Sequence, residues 1–197
     1  MKKNLIIFFK IISYYYWVLF LFFLIIAINP LMYNFNSNLS DVKVENKNMY
    51  YQDLAKYLFH IKDLNLNNWN QKEISHYNEV RKIFDFLFIL YLINLYFFLK
   101  YKIKEQSKLY SKYSIFITLL IILVFVLSLF FNSFRFFWDN IFHPFLFSNN
   151  LWLMNPDEVS FYLFPINFFV YTISEILLGI LVFNIYVYYR EKNSFFS

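Results

Sequence analysis

Three histidines are the only side chains in the sequence that ordinarily titrate near neutral pH, and each lies outside the long apolar stretches. His76 belongs to a polar run, residues 73–82. If this run is helical, Glu79 lies one turn from His76 on the same face. A carboxylate in that position can orient an imidazole and raise its basicity, which suits a general base. The spacing also fits an exposed helix with a routine His–Glu contact, and this alternative stays open.

The segment 142–157 is the second candidate for chemistry. It combines His143 with Asn149, Asn150 and Trp152 and with two helix-breaking prolines, and it is too apolar to be fully solvated. Its imidazole can carry a proton, and its amides can donate hydrogen bonds to a carbonyl oxygen. The alternative is an interfacial or re-entrant loop that only packs on lipid.

A metal site is a competing interpretation of the same residues. His76, Glu79 and His143 would supply two imidazoles and one carboxylate, which is a known ligand set for metal ions. The signal is weak, because any three such groups can be drawn together and the sequence contains no HExxH motif. We therefore predict neither a metal nor an organic cofactor.

The composition is that of an integral membrane protein. Of 197 residues, 60% are hydrophobic and 16% are charged, whereas soluble domains carry about 25% charged residues. The absence of cysteine excludes a disulfide framework, a Cys-ligated metal and a thiol nucleophile. Gly179 is the only glycine, so the chain has no Walker loop, no GxGxxG and no GxSxG motif. These absences exclude ATPases, Rossmann enzymes and standard serine hydrolases.

Four apolar stretches predict an all-α membrane protein of one domain, residues 1–197, with four transmembrane helices. They cover residues 11–28, 83–99, 115–131 and 164–188. The second stretch is short for a bilayer that needs about 20 residues, so its helix should begin before Ile83. That extension places His76 about 10 Å above the hydrocarbon edge, at head-group depth. An amphipathic segment, Tyr50–Ile61, precedes it and contains His60, to which the sequence assigns no role.

Basic residues set the expected orientation. The N-terminus, residues 100–112 and the C-terminal tail hold ten Lys and Arg against two acidic residues. Loops 33–82 and 133–163 are nearly balanced or slightly negative in charge. Because short, strongly basic segments mark the cytoplasmic side, both termini should be cytoplasmic and both loops extracytoplasmic. We expect the basic residues to contact anionic lipid, and nothing in their distribution indicates a nucleic-acid surface.

Glu175 lies close to the middle of the fourth stretch, where a carboxylate costs about 2.5–3.5 kcal/mol. Intramembrane acids are often functional. The interpretation that we favour is structural: a protonated Glu175 that packs helices through a hydrogen bond to a polar side chain such as Asn94.

Two motifs carry a family resemblance. An H-x-x-[D/E]-V-[R/K] pattern precedes the second span, and an F-H-x-x-x-F-x-N-[D/N]-x-W pattern precedes the fourth, followed by L-F-P-x-x-F-F. The residues that carry them are His76, Glu79, Val80 and Arg81, then Phe142, His143, Phe147, Asn149, Asn150 and Trp152, then Leu163 to Phe169. Together with the span order, these motifs resemble the lipoprotein intramolecular transacylases, small four-span membrane proteins of low-GC Gram-positive bacteria. Where that family usually has Met and Asp, this chain has Tyr77 and Glu79.

The resemblance implies an acyl shift on diacylated bacterial lipoproteins at the extracytoplasmic face of the cell membrane. The sn-2 acyl chain of the diacylglyceryl group would move to the α-amino group of the N-terminal cysteine, giving a lyso-form lipoprotein. The family's proposed catalytic histidines match His76 and His143, and its other motif residues match the supporting set, Glu79, Arg81, Asn149, Asn150 and Trp152.

The residues fit such a reaction. An ester and an amine on one molecule need chiefly to be held in line, which can supply about 7–11 kcal/mol of the barrier. The amine has a pKa of about 7.7–8.0, so a base must remove its proton near neutrality. One histidine can do this while the other protonates the leaving oxygen, and the sequence does not say which. Oxyanion donors would come from Asn149, Asn150 or Arg81.

Two other functions remain open from the sequence. One is a non-catalytic membrane scaffold or accessory subunit that binds a partner through its outer loops. The other is a metal-dependent membrane hydrolase. The oligomeric state is not indicated by any pattern in the chain.

Overall fold

The computed structural model describes residues 2–40, 45–100, 107–131 and 133–193, and every regular element in these ranges is helical. The first five helices are α1 (Lys2–Ile26), α2 (Pro30–Leu39), α3 (Lys47–Leu58), α4 (Gln71–Lys100) and α5 (Ser107–Phe130). They are followed by α6 (Ser133–Phe137), a π-helical segment (Trp138–Phe142), α7 (His143–Leu146), α8 (Val159–Leu163) and α9 (Ile166–Asn193). The predicted all-α class is confirmed.

Four of these helices are long and apolar enough to cross a membrane, as predicted. Their candidate spans are Ile6–Ile26, Gln71–Lys100, Lys108–Phe130 and Ile166–Arg190. The helices containing the first and third spans begin earlier than predicted, because helical structure continues through the polar residues before each apolar stretch. Part of the predicted cytoplasmic loop, residues 101–106 with Lys102 and Lys104, lies outside the described residues.

Helix α4 extends well beyond its apolar part, which confirms that its helix begins before Ile83. Its 30 residues give a length of about 45 Å, more than the roughly 30 Å of a hydrocarbon core. Its start is a reciprocal cap: the Asn70 Oδ1 accepts from the Glu73 N–H at 2.8 Å, and the Glu73 Oε2 accepts from the Asn70 N–H at 2.9 Å. The polar turns that follow carry His76.

Helix α1 packs against α4, α5 and α9 and so forms the centre of the bundle. Between α1 and α9, the Tyr14 hydroxyl donates to the buried Asn184 Oδ1 at 3.0 Å. Further along, Gly179 lies against the ring of Phe22, and an added Cβ there would come within 2.5 Å of that ring. The single glycine therefore permits a close helix approach, as small residues do in membrane bundles.

Helices α2, α3 and α8 lie at one end of the bundle, which we call the loop end. Their shared core consists of Tyr33, Tyr51, Leu54, Tyr57, Leu64, Trp69, Tyr77, Leu163 and Phe168. The rings of Tyr33 and Tyr51 stack at 3.9 Å, and the Tyr33 hydroxyl donates to the Leu163 carbonyl at 3.3 Å. The two predicted loops are thus joined into one layer at the same end.

The amphipathic segment Tyr50–Ile61 is helical over most of its length, within α3. Leu54 and Leu58 are buried, as the spacing predicts, but Ile61 is exposed. The reason is local: the helix ends at Leu58, and His60 adopts a positive φ of 57° that turns the chain away.

The predicted partner of Glu175 was wrong. Its Oε2 accepts a hydrogen bond from Asn36 of α2 at 2.7 Å, whereas Asn94 donates to Leu90 of its own helix at 2.8 Å. Because Gly179 lies opposite Phe22, Glu175 lies about one turn closer to the loop end, level with the last residues of α1. Helix α2 reaches this level and supplies a polar neighbour that apolar periodicity does not indicate.

Candidate functional site

His76 lies in the polar part of α4, close to the loop end, with only 7% of its surface exposed. Its ring packs edge-on against Phe147, with 4.9 Å between the ring centroids. Its Nδ1 is buried and has no hydrogen-bond partner among the described residues. Packing therefore fixes the imidazole, and its Nδ1 makes no hydrogen bond to the described residues.

His143 is the first residue of α7, directly after the π-helical segment. Its Nδ1 lies 2.8 Å from the carbonyl oxygen of Trp138. Because a carbonyl oxygen only accepts, Nδ1 carries the hydrogen, and the neutral ring keeps its lone pair on Nε2. The ring also stacks on Trp152, with centroids 4.5 Å apart. The site thus fixes both the orientation and the tautomer of this imidazole.

The electrostatic surroundings of His143 favour its neutral form. Burial lowers the pKa of the imidazole, and this effect exceeds the opposing effects of the hydrogen bond to Trp138 and the nearby Asp139 carboxylate. A lowered pKa means that the ring is neutral at pH 7 and has its Nε2 lone pair available as a base.

The two histidines come together on one phenyl ring. Phe147 lies 4.9 Å from the ring of His76 and 5.9 Å from that of His143, measured between centroids. Two distant parts of the sequence, the start of α4 and the segment after the π-helical segment, therefore build one site.

Glu79 does not make the expected hydrogen bond with His76 in the part of the chain that the structure describes. Its Oε1 instead accepts a hydrogen bond from the Asn149 Nδ2 at 2.7 Å, and its Oε2 is buried with no partner in the described ranges. The Asn149 Oδ1 in turn accepts from the Leu151 N–H at 3.0 Å. The carboxylate therefore ties α4 to the segment that carries Trp152, and one of its oxygens stays available.

Two of the predicted supporting residues lie elsewhere. The guanidinium of Arg81 lies over the ring of Tyr57, 4.1 Å from its centroid, and 3.9 Å from the Asp63 carboxylate. Asn150 is exposed, and its carbonyl accepts from the Leu153 N–H at 3.2 Å. Trp152 thus contacts His143, and Asn149 contacts Glu79. Arg81 and Asn150 make no such contact with these residues in the part of the chain that is described.

A buried acid that the sequence analysis did not assign holds the loop against α4. Glu73 is 1% exposed, and its Oε1 accepts from both the N–H and the hydroxyl of Ser160, at 2.8 and 2.6 Å. The Ser160 Oγ also accepts from the Tyr77 hydroxyl at 2.8 Å. The N-x-x-E capping pattern of residues 70–73 could have indicated Glu73, but no pattern indicates Ser160 as its partner.

A second tie lies beside it. Lys72 pairs with Glu158 at 2.9 Å and also donates to the Leu153 carbonyl. Burial alone would raise the pKa of Glu158, but hydrogen bonds from the Asn155 N–H and from Lys72 hold it below its usual value. Glu158 is therefore a charged anchor that fixes the loop before α8.

His60 lies apart from this site. Its Nε2 is 3.0 Å from the Asp85 carboxylate, and both side chains are largely exposed. Over the described ranges, no group of three or more His, Asp or Glu side chains is arranged to hold a metal ion.

Comparisons with known proteins identify a family and a shared fold. A family model described as lipoprotein intramolecular transacylase Lit matches residues 3–169, which include both histidines. The in meso structure of the membrane integral lipoprotein intramolecular transacylase Lit from Bacillus cereus matches with a TM-score of 0.72 and 21% identity, covering 98% of each chain. A variant structure of that protein, with one histidine replaced by alanine, gives a TM-score of 0.66 at 21% identity, covering 98% of this chain and 96% of that chain. No curated protein sequence matches the chain.

The structural likeness shows a shared fold, and the family match covers most of the chain. The four candidate spans of the chain are those of a multi-pass membrane protein. The chain therefore belongs to the lipoprotein intramolecular transacylase family and is a membrane acyltransferase.

Proposed function

We propose that this chain moves the sn-2 acyl chain of the diacylglyceryl group of a bacterial lipoprotein to the α-amino group of its N-terminal cysteine. Family membership supports the reaction class. The observation that carries the proposal is the convergence of His76 and His143 on Phe147 at the loop end. Two imidazoles in an apolar, partly enclosed site suit proton transfer between an amine and an alcohol oxygen.

The reaction is an isomerisation that needs no second substrate. The amine nitrogen attacks the ester carbon, an N–C bond forms, and the bond from that carbon to the sn-2 oxygen breaks. One proton leaves the nitrogen and one arrives on the glyceryl oxygen, so no water or nucleotide is consumed. An ester becomes an amide and a free hydroxyl, which yields the lyso form.

His143 is the residue that carries this proton. Its Nδ1–H is held by the Trp138 carbonyl, so its Nε2 accepts the proton from the attacking amine. The same Nε2–H then donates to the departing glyceryl oxygen. Trp152 keeps the ring in place during both transfers by stacking on it at 4.5 Å.

His76 and Glu79 stabilise the two charged groups of the reaction, the oxygen that becomes negative and the substrate's ammonium group. A neutral His76 donates its N–H to the oxygen that becomes negative when the amine attacks. A neutral imidazole can stabilise a carbonyl oxygen in this way. The Glu79 Oε2, which has no partner among the described residues, accepts a hydrogen bond from the substrate's ammonium group. That group releases one proton to water before the neutral amine attacks. Asn149 holds the carboxylate in position through its 2.7 Å hydrogen bond.

The site faces the extracytoplasmic side in this proposal. Residues 1–197 form one membrane domain with both termini cytoplasmic, because the basic residues concentrate at the termini and in residues 100–112. Four spans then bring loops 33–82 and 133–163 to the other side, where the proposal also places the lipid-modified cysteine. Exposed apolar side chains beside the site face the bilayer and its lipids, namely Phe130, Phe131, Phe136, Ile141 and Phe145.

The proposal is tested by expressing the chain in a host that makes only diacylated lipoproteins and analysing the N-terminal lipopeptides by mass spectrometry. We expect the acyl mass to be unchanged while one acyl chain becomes amide-linked. Unchanged lipopeptides at good expression would contradict the proposal.

Variants of the histidines are the matched test of the mechanism. His76→Ala and His143→Gln should each reduce conversion by at least about 100-fold, since general acid–base catalysis contributes about 10²–10⁴-fold. His60→Ala is the control, because His60 pairs with Asp85 outside the site. Conversion by the double variant at the wild-type rate would show that other groups carry the proton.

A further inference from the structure

A polar cleft opens at the loop end, next to the histidine site. Its volume is about 240 Å³, and it is lined by Leu66, Asn67, Asn68, Trp69, Asn70, Glu73, Asp157 and Val159. Typical small-molecule pockets are larger, about 300–1,000 Å³, and mostly apolar. The cleft is therefore better suited to a short stretch of extended chain than to a compact ligand.

The lining offers hydrogen bonds of both kinds. The carboxamides of Asn67 and Asn68 make no hydrogen bonds to the described residues, so each offers two N–H donors and one acceptor oxygen. The indole Nε1 of Trp69 is buried and likewise unpartnered in the described parts of the chain. Asp157 adds an exposed carboxylate at the cleft. This mixture of amide donors and acceptors complements a peptide main chain.

The charge of the cleft argues against an anionic occupant. Its lining contains Glu73 and Asp157 and neither Lys nor Arg. Nearby Lys72 is already paired with Glu158. A phosphate group would meet carboxylates without a cation, whereas a neutral peptide group meets its hydrogen-bonding partners.

The position of the cleft fits a substrate that continues beyond its first residue. Glu73 lies on the same helix as His76 and one turn before it, about 4.5 Å along the axis. An extended chain advances about 3.3 Å per residue. A polypeptide whose first residue lies at His76 therefore reaches the cleft within its next few residues.

We propose that this cleft binds the main chain of the lipoprotein polypeptide immediately after its modified cysteine. The inference rests on the proposed function and adds a subsite that binds the polypeptide part of the substrate. The histidine site binds the lipid-bearing residue, and the cleft selects substrates in which that residue is joined to an extended polypeptide.

The test compares two synthetic substrates, a diacylglyceryl cysteine amide and the same group on a six-residue peptide. With the wild-type protein in detergent, we expect a lower KM for the longer substrate. The double variant N67A/N68A should raise the KM of the longer substrate about tenfold, the loss of one or two net hydrogen bonds, with kcat unchanged. The KM of the short substrate should not change. Asn48→Ala is the matched control, an asparagine at the start of α3 that is not part of the cleft lining.

The outcomes separate the two proposals. Equal KM values for both substrates in the wild type, or an equal effect of N67A/N68A on both, would overturn the cleft assignment and leave the acyl transfer standing. Failure of the wild type to convert either substrate would overturn both. A photo-crosslinker on the third residue of the longer peptide is the independent measurement. Crosslinks should fall within residues 66–70, and crosslinks confined to other segments would overturn the assignment.

Discussion

At the residue scale, the site is defined by which atoms the fold uses and which it leaves available. His143 donates its Nδ1–H to the Trp138 carbonyl, which leaves the lone pair of Nε2 to accept a proton. The Oε1 of Glu79 accepts a hydrogen bond from Asn149, and its Oε2 has no partner among the described residues. His76 packs on Phe147, and its Nδ1 has no hydrogen-bond partner among the described residues. The available atoms are those that the proposed acyl shift requires.

The tautomer and charge of His143 can be measured directly. Because burial lowers its pKa, the ring should become charged only below the ordinary value of about 6.5 and should be neutral at pH 7. Proton-linked chemical shifts of ¹⁵N-labelled histidine in micelles report this midpoint, and loss of one signal in His143→Gln assigns it. A midpoint at or above 6.5 would contradict the role of His143 as a base that is ready at neutral pH.

The free oxygen of Glu79 predicts a charge-dependent effect on the substrate amine. Glu79→Gln should lower kcat/KM by about 10- to 100-fold, since hydrogen bonds to charged groups are worth about 1.5–3 kcal/mol. Glu79→Asp keeps the charge and should lose less. Steady-state rates of both variants at saturating and limiting substrate provide the comparison. A smaller loss in Glu79→Gln than in Glu79→Asp would mean that shape and not charge matters at this position.

At the element scale, the site depends on how the segment after α7 is fastened to the start of α4. Glu73 accepts two hydrogen bonds from Ser160, and Lys72 pairs with Glu158. These ties hold the C-terminal end of a segment whose middle carries Trp152, and the hydrogen bond from Asn149 to Glu79 holds the part before Trp152. The rigid helix α4 therefore sets the position of His76 directly and that of the Trp152 segment through side-chain bonds.

Removing the buried tie should loosen the loop. Glu73→Gln places an amide N–H₂ where the native oxygens accept hydrogen bonds from Ser160 and Asn70, at a cost of about 1–3 kcal/mol for an unsatisfied buried group. We expect a lower thermal midpoint in detergent and faster proteolysis within residues 147–165. Ser75→Ala is the control, because within the described ranges the Ser75 hydroxyl bonds only to the Gln71 carbonyl of its own helix. If both variants behave alike, Glu73 is not the tie that holds this loop.

At the scale of the whole molecule, the bundle is organised around α1, and the only glycine of the sequence lies where α9 packs on α1. Phe22 lies against Gly179, and Tyr14 bonds to Asn184 two turns further along. This contact fixes the height of α9 relative to α1. It thereby sets the level at which the segment before α9, with Leu163 and Phe164, meets the loop end.

Gly179→Ala should therefore strain the bundle. A Cβ within 2.5 Å of the Phe22 ring forces that side chain or the helix to move, at about 1–3 kcal/mol for overpacking. Phe22→Leu makes room, so the double variant should lose less stability than the two single losses added together. Thermal midpoints of the four proteins in one detergent complete the cycle. Additive losses would show that the two side chains do not meet.

Much of the architecture could be predicted from hydropathy. The four spans follow from the cost of burying charge in a bilayer, and the extension of α4 follows from the shortness of its apolar part. Partners between distant segments could not be predicted. Glu175 pairs with Asn36 instead of Asn94, and Glu79 with Asn149 instead of His76. Helical periodicity gives the face on which a residue lies, but not the element that comes to meet it.

The sequence by itself determined the class of the molecule, its membrane spans, and the chemistry it excludes, because composition and hydropathy act along the chain. Motifs that resemble a family also predicted His76 and His143 as the catalytic pair. Only the tertiary structure decided that both imidazoles meet at Phe147, that Trp138 fixes the tautomer of His143, and that one Glu79 oxygen stays available. These facts depend on contacts between residues far apart in sequence, which packing of the whole bundle alone can specify.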